Sequence, residues 1–212
     1  MHKEIIDRAA AYVREKFENE YSGHDWFHTL RVFKTATRIA EAEGADLVTV
    51  QLAALLHDVD DRKLSPGTYE NKANARRFLT ENKVDDEKID EICRIIGEIS
   101  FAEGRVPSTI EGKCVQDADR LDAIGAIGIA RAFAYGGNHN RLMYHPDVKP
   151  NLNMSKEEYV NSKSTTLNHF YEKLFLLADM MNTDAAKAIA REREEYMRGF
   201  LAEFMDEWEG KR

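Results

Sequence analysis

The placement of the prolines is the feature that most constrains the fold of this 212-residue chain. Its four prolines lie between helical patterns and never inside one: Pro66, Pro107, Pro146 and Pro150. Proline in a helix interior removes a hydrogen bond and clashes with the preceding turn, so the long proline-free stretches are free to be helical. Apolar residues in these stretches recur three and four positions apart, as in amphipathic helices. The sequence therefore predicts an all-α fold, a compact bundle of roughly nine helices.

Capping residues predict the boundaries of the second and third helices. Asp25 is a predicted N-cap, and Gly44 ends the helix that follows it. Asp46 opens the third helix, which carries an apolar run to its end at His57 and Asp58.

The second half of the chain contains the least helical segment. Residues 109–135 are predicted to form one helical stretch with a break near Gly112, and further helices are predicted over 155–180 and from Thr183 onward. Between them, residues 136–154 are rich in glycine, proline and asparagine, and a loop of this length is often a lid. We therefore predict a single domain, residues 1–212, with a lid loop at 136–154.

Composition limits the partners and the cellular location. A net charge of -8 disfavours nucleic-acid polymers, because a protein that binds them must neutralise phosphates. No apolar run approaches the length of about 18 residues that a membrane span needs, and the charged N-terminus predicts no signal peptide. The two cysteines, Cys93 and Cys114, lack metal-binding or disulfide spacing and are predicted to be core thiols. We expect a cytoplasmic protein without membrane association.

Two histidines and two aspartates from three helical stretches form a candidate ligand set: His28, His57, Asp58 and Asp119. His28 begins a stripe of apolar residues at helical spacing, and alanines follow Asp119 in the same way. A carboxylate on such an inward face is costly to bury unless it is paired or binds a metal. Imidazole with carboxylate suits one divalent transition metal better than a structural zinc site of thiolates.

The residues around these ligands resemble the motifs of the HD-domain phosphohydrolases. Residues 23–32, GHDWFHTLRV, are close to the family's HxxRV opening, residues 53–58 read AALLHD, and residues 118–121 read ADRL. The resemblance implies an HD-domain helical bundle that binds one divalent ion, with Mn favoured and Co, Ni, Fe, Zn or Mg as alternatives. Dinuclear members have further histidines between the His-Asp pair and the last aspartate. This chain has none between 58 and 119, so the resemblance implies a mononuclear site and hydrolysis.

Several residues near these motifs are candidates for catalysis or support. Asp61 follows Asp58 at the position where some family nucleotidases have a catalytic glutamate; it either acts as an acid or base or belongs to a solvated loop. Asp117 and Asp122 compete with Asp119 for the last ligand position; the motif match favours Asp119, and we assign Asp117 or Asp122 to hydrogen bonds around the metal. The predicted substrate-binding residues are polar or cationic: His24, Arg62, Lys63, Arg120, Asn168, His169 and Lys173.

The resemblance implies a metal-dependent phosphohydrolase that acts on nucleotides. The first candidate activity is a (deoxy)nucleoside triphosphate pyrophosphohydrolase or phosphatase. A nucleoside monophosphatase (5'-nucleotidase) and a nucleotide-binding sensor without catalysis are the alternatives. The expected partner is a small phosphorylated substrate. The protein is expected to be a monomer or a homodimer, since the stripe of Phe200, Phe204 and Trp208 suits either a second copy or the core of its own domain.

Overall fold

The computed structural model describes residues 2–20, 23–62, 64–99, 105–152 and 164–212. These residues form helices, turns and loops without a strand, which confirms the all-α prediction. The helices before residue 139 are α1 His2–Lys16, α2 Trp26–Glu43, α3 Leu47–Leu56, α4 Ala73–Glu81, α5 Asp86–Glu98, α6 Ile110–Asp122 and α7 Gly125–Asn138.

Two more helices follow. The helix α8 is α-helical over Thr166–His169, π-helical over Phe170–Leu174 and α-helical again over Phe175–Asp179. The last helix, α9, spans Asp184–Trp208. The described residues therefore contain nine helices, the number that the sequence predicts. The part of the predicted 155–180 helix that precedes residue 164 lies outside the described residues.

The chain divides into two compact units. The first contains Met1–Asp119 and Asn182–Ala186, and the second contains Arg120–Met181 and Lys187–Arg212. The single-domain organisation stays a prediction. No helix in the described part of the chain combines the length and the hydrophobicity that a transmembrane segment requires.

Helix α3 is the centre of the first unit and packs against α1, α2 and α5. Its C-terminal half is buried on all sides, as the 0–1% exposure of Leu52, Leu55 and Leu56 shows. Burial of one such side chain contributes about 1.5–3 kcal/mol. The position of the C-terminal end of α3 is therefore fixed by the core, and with it the His57–Asp58 pair.

The caps of α2 and α3 lie where the sequence predicts them. The Asp25 side chain accepts a hydrogen bond from the backbone N–H of His28, and Asp46 accepts one from Val48. Gly44 ends α2 with a φ of 70°, in the left-handed region that glycine adopts without strain. Asp25 is thus the N-cap that the sequence predicts.

The helix break in the 109–135 stretch lies about ten residues later than predicted. Helix α6 continues through Gly112, and the chain turns at Ala123 and Ile124 before α7 begins. A side chain at Gly128 would place its Cβ 2.3 Å from the carbonyl oxygen of Ala123, so the close turn requires glycine there. The prediction was wrong because Gly112 is compatible with a helix interior, whereas the close approach at Gly128 is a tertiary feature.

Aromatic side chains form the core of the second unit. Phe133 contacts Phe200 and Phe204 at ring-centroid distances of 5.9 and 6.2 Å, and Phe170 stacks on Phe200 at 6.2 Å. Trp208 stacks on Phe204. The C-terminal aromatic stripe therefore packs within its own unit, and the oligomeric state stays open.

The predicted lid loop is held against the start of α8. Residues 136–138 belong to α7, residues 139–152 are non-helical, and residues 153 and 154 lie outside the described residues. Two backbone amides and one side-chain amide of α8 donate to carbonyls of this loop: Thr166 to Leu142, Leu167 to Met143 and Asn168 to Val148, at 2.9, 2.9 and 3.0 Å. Opening and closing of the loop stays a prediction.

Candidate metal centre

The first turn of α2 positions His28. Its backbone N–H donates to Asp25 Oδ1 at 2.8 Å, and its side chain is only 2% exposed. The residues one, two and three turns later, Val32, Ala36 and Ile39, are fully buried. The His28 imidazole therefore lies on the inward face of α2, as its helical phase predicts.

The end of α3 positions His57 and Asp58. His57 is the C-cap residue of α3, and its Nδ1 donates to the carbonyl oxygen of Ala54 at 2.8 Å. In the neutral ring this bond places the proton on Nδ1, so Nε2 keeps its lone pair for a metal. Asp58 follows as the first residue after the cap and is 7% exposed.

Four donor atoms converge in the first unit. His28 Nε2 lies 3.3 Å from His57 Nε2, 3.5 Å from Asp58 Oδ2 and 3.4 Å from Asp119 Oδ1, and His57 Nε2 lies 3.1 Å from Asp58 Oδ2. Donor atoms bound at about 2.1 Å to one ion are about 3.0 Å apart in octahedral and about 3.4 Å apart in tetrahedral geometry. These separations fall within the range of groups that could hold a metal ion, and binding of one ion by all four residues stays a prediction.

Charge in this cluster shifts two pKa values. Burial raises the pKa of Asp58, but the adjacent His57 and hydrogen bonds from His24, His28 and His57 outweigh it and hold the pKa well below its usual value. Burial lowers the pKa of His57, and the carboxylates of Asp58 and Asp119 outweigh it and raise the pKa. Cations are therefore stabilised at this position, whether a proton or a metal supplies the charge.

Asp119 is the more accessible of the two carboxylates. Its side chain is 32% exposed, compared with 10% for the side chain of Asp58. It lies on α6, and the residues before it on this helix, Val115 and Ala118 among them, are buried. Among the four candidate ligands, Asp119 therefore has the most solvent-accessible side chain.

The carboxylate of Asp117 binds the chain before α9 instead of supporting the ligand residues. Asp117 is fully buried and accepts hydrogen bonds from the backbone N–H and side chain of both Asn182 and Thr183, at 2.7 to 3.1 Å. These hydrogen bonds use both oxygens of the Asp117 carboxylate, which the sequence analysis had assigned to hydrogen bonds around the metal. In the second unit, Asp122 pairs with Arg131 through Oδ2, and its assignment to the surroundings of the metal stays a prediction.

His24 lies beside the four converging groups. Its Nδ1 is 2.9 Å from Asp58 Oδ2, and its ring lies edge to face with that of His28 at a centroid distance of 5.8 Å. The side chain is 32% exposed. With His28 and Asp58 it forms a second group of donors that could hold a metal ion, besides the group of His28, His57 and Asp119.

The turn after Asp58 contains the candidate catalytic residue. The Asp61 backbone N–H donates to the Asp58 carbonyl at 3.0 Å, and Asp61 Oδ1 accepts from the Leu64 N–H at 3.3 Å. Asp61 is half-buried and Arg62 is exposed, whereas Lys63 lies outside the described residues. The turn is therefore not a wholly solvated loop, and both roles of Asp61 stay open.

Arg120 of the second unit forms a structural contact. Its side chain is 5% exposed, and Nη1 donates to the Met180 carbonyl at 2.5 Å, at the end of α8. One N–H donor of Arg120 is therefore already used inside the protein. Substrate binding by this side chain stays a prediction.

The candidates on α8 have two different environments. Asn168 is 3% exposed, and its side-chain amide donates to the Val148 carbonyl and so binds the loop; substrate binding by Asn168 stays a prediction. His169 is half-buried, and burial together with the cations of Lys173 and Arg141 lowers its pKa to about 4. Lys173 lies in the π-helical turn, a feature that often marks functional sites. Arg141 is a cation near His169 that the sequence analysis missed.

Asp60 is a second residue that the sequence analysis missed. It is 1% exposed and accepts hydrogen bonds from the backbone N–H groups of Asn74 and Ala75, at 3.1 and 2.9 Å. These groups belong to the first turn of α4, whose N-cap residue Lys72 makes no side-chain cap. Asp60 therefore ties the turn after Asp58 to α4. A missing N-cap residue before α4 was the only local sign of this contact.

Comparison with known proteins identifies the family of this chain. Residues 26–124 match the HD domain family. The chain is 38% identical over 199 residues to the Bacillus subtilis (strain 168) protein YpgQ, covering 92% of this chain and 89% of the relative. An HD-superfamily hydrolase from Bacillus thuringiensis has a similar crystal structure, with a TM-score of 0.82, 42% identity and 99% of each chain covered. The structure of Bacillus subtilis YpgQ in complex with ADP is also similar, with a TM-score of 0.78, 34% identity, and 97% of this chain and 96% of that chain covered.

Proposed function

Because the chain belongs to the HD-domain superfamily, we propose that it is a mononuclear metal-dependent phosphohydrolase that acts on nucleotides. The observation that carries the proposal is the convergence of four donor atoms, from His28, His57, Asp58 and Asp119, within 3.1 to 3.5 Å of their neighbours. Structural zinc sites are usually closed and rich in thiolates. This cluster has no thiolate and is bordered by the partly exposed Asp119, which favours a catalytic site.

A nucleotide is the substrate class that the comparisons support best. YpgQ, to which this chain is similar over nearly its whole length, has a structure in complex with ADP. We propose a (deoxy)nucleoside triphosphate as the substrate. It is cleaved either to the monophosphate and pyrophosphate or at the terminal phosphate. The proposed ion is Mn²⁺, and the proposed location is the cytoplasm.

The chemistry divides between the ion and the surrounding residues. A divalent ion supplies Lewis acidity that polarises a phosphoryl oxygen and makes water more acidic. The hydrogen bond from His57 Nδ1 to the Ala54 carbonyl orients the imidazole ring and leaves Nε2 for the ion. Asp61, one turn after Asp58, is the proposed group that takes a proton from the attacking water or gives one to the leaving oxygen.

Cationic side chains are the proposed phosphate-binding groups. Arginine offers a bidentate fork to a phosphate, and lysine offers a point charge. Arg62 is exposed in the turn after Asp61, and Lys63 follows it in sequence. On the second unit, His169 and Lys173 are the proposed polar contacts, with Arg141 as an additional cation close enough to affect the pKa of His169.

The test is hydrolysis of a panel of nucleoside mono-, di- and triphosphates by metal-depleted protein to which Mn, Co, Ni, Mg or Zn is restored. Phosphate and pyrophosphate are assayed separately, and Asp58→Ala is the matched control for contaminating phosphatase. We expect metal-dependent release from triphosphates that is absent in the control. Release from monophosphates alone would replace the proposal by a nucleotidase. Binding of one ion per chain without release from any substrate would replace it by a nucleotide sensor.

A further inference from the structure

The contact between His24 and Asp58 goes beyond the set of four ligand residues. His24 Nδ1 lies 2.9 Å from Asp58 Oδ2. The same oxygen faces His28 Nε2 at 3.5 Å and His57 Nε2 at 3.1 Å. One oxygen of Asp58 is therefore directed toward the candidate metal position and toward His24 at the same time. An ionised carboxylate only accepts hydrogen bonds, so His24 Nδ1 is the donor.

From this geometry we propose that His24 is a positioning residue, which fixes the carboxylate of Asp58 in the orientation that binds the metal. The proposal rests on the proposed metal-dependent function. It gives His24 a role different from the substrate contact that the sequence suggested, because Nδ1 of the ring is already bonded to a ligand residue.

Asp58 needs such a partner because of its place in the fold. The last residue of α3 is Leu56, His57 is the C-cap, and Asp58 lies beyond the regular hydrogen bonds of the helix. His57 is oriented by the carbonyl of Ala54. The carboxylate of Asp58 has two equivalent oxygens and rotates about its last torsion unless a hydrogen bond fixes it. A hydrogen bond to Oδ2 fixes the orientation of the carboxylate and so determines which of its oxygens faces the ion. It also opposes the rotation that would bring both oxygens to the ion.

The position of His24 allows a clean test. It precedes the N-cap Asp25 and lies outside α2, and its side chain is 32% exposed. Its replacement therefore leaves no large cavity in the core. Asparagine carries its side-chain N–H donor at the same bond separation from Cβ as imidazole Nδ1. The side-chain amide of glutamine is one bond further out and corresponds to Nε2.

The experiment measures the binding of Mn²⁺ to metal-depleted protein by titration calorimetry, without any nucleotide. His24→Ala, His24→Asn and His24→Gln are compared with the wild type, and His2→Ala, at an exposed histidine of α1, is the matched control. Thermal unfolding in chelator is recorded for each protein to separate loss of fold from loss of affinity.

We expect His24→Ala to weaken Mn²⁺ binding about 10- to 100-fold, the usual effect of removing a hydrogen bond to a metal ligand. His24→Asn should bind close to the wild type, and His24→Gln should resemble alanine. The unfolding midpoint in chelator should lie well above the titration temperature for all of them, so that each variant is folded when its affinity is measured. Wild-type affinity in His24→Ala, or equal losses in the alanine and asparagine variants, would overturn the positioning role and leave the metal centre in place. Absence of Mn²⁺ binding by the wild type and His2→Ala would instead overturn the proposed function, and with it this role.

Discussion

The Nε2 atoms of His28 and His57 lie 3.3 Å apart in a region where the two side chains are 2% and 4% exposed. His57 Nδ1 donates to a backbone carbonyl, so in its neutral form the ring directs a lone pair toward His28. Two buried nitrogen lone pairs repel each other unless a cation or a proton lies between them. The adjacent carboxylates of Asp58 and Asp119 make that position favourable for a cation.

The first prediction concerns Asp58. Asp58→Ala removes the oxygen that lies nearest to His57 Nε2, so we expect metal retention and turnover to be lost while the helical content stays. Metal binding stabilises the native wild type by about 2.7 kcal/mol when the free ion is at 100 times its dissociation constant. Denaturant unfolding with Mn²⁺ and with chelator measures this difference, which should be absent in the variant. A collapse of the circular dichroism spectrum in Asp58→Ala would point to a structural rather than a catalytic metal site.

The second prediction concerns Asp61. Asp61→Asn keeps an oxygen that accepts from Leu64 N–H, so the turn is retained and only the negative charge and basicity are lost. If Asp61 transfers a proton, we expect kcat to fall by about 10²- to 10⁴-fold with Mn²⁺ affinity unchanged. Steady-state kinetics and calorimetry on the same preparation separate the two quantities. Unchanged turnover would remove Asp61 from the mechanism and leave it as a residue that stabilises the turn.

The sequence predicts the parts of this protein that depend on local signals. The caps Asp25, Gly44 and Asp46 define α2 and α3 because each acts within a few residues of itself. Helical phase places His28 on a buried face for the same reason. The convergence of the predicted ligand atoms came from motif resemblance, since periodicity alone does not bring three helices together.

Contacts between residues far apart in sequence escaped prediction. Asp117 binds Asn182 and Thr183 across more than sixty residues, and its spacing from Asp119 gave no sign of this. Asp60, which the sequence analysis did not single out, caps α4 from fourteen residues away. In both cases a buried carboxylate accepts hydrogen bonds from backbone N–H groups of a segment far away in sequence. Which N–H groups need such an acceptor depends on the tertiary fold, and no local sequence pattern encodes it.

The third prediction follows from the bonds of Asp117. Asp117→Ala leaves buried donors of Asn182 and Thr183 without their acceptor, at a cost of about 1–3 kcal/mol for each such group. We expect the free energy of unfolding to fall by about 3 kcal/mol or more, as measured by urea denaturation in chelator. Asp122→Ala also removes a carboxylate, and its partner Arg131 is about one third exposed, so its effect should be smaller. Equal losses in the two variants would contradict the structural role of the Asp117 cluster.

The last prediction concerns the pH dependence of stability and His169. Its pKa is lowered from 6.5 to about 4, first by burial and then by the nearby cations of Lys173 and Arg141. The unfolded chain therefore binds the proton at a higher pH than the folded chain does. The contribution of the neutral ring to stability is complete above pH 6.5 and is lost as the pH falls toward 4. At about 1.4 kcal/mol for each pH unit, this difference corresponds to about 3 kcal/mol.

His169→Gln should lose less stability than the wild type between pH 7 and pH 4 in urea unfolding. The exposed-site control His139→Gln should follow the wild type, and parallel curves for all three proteins would show that His169 titrates normally.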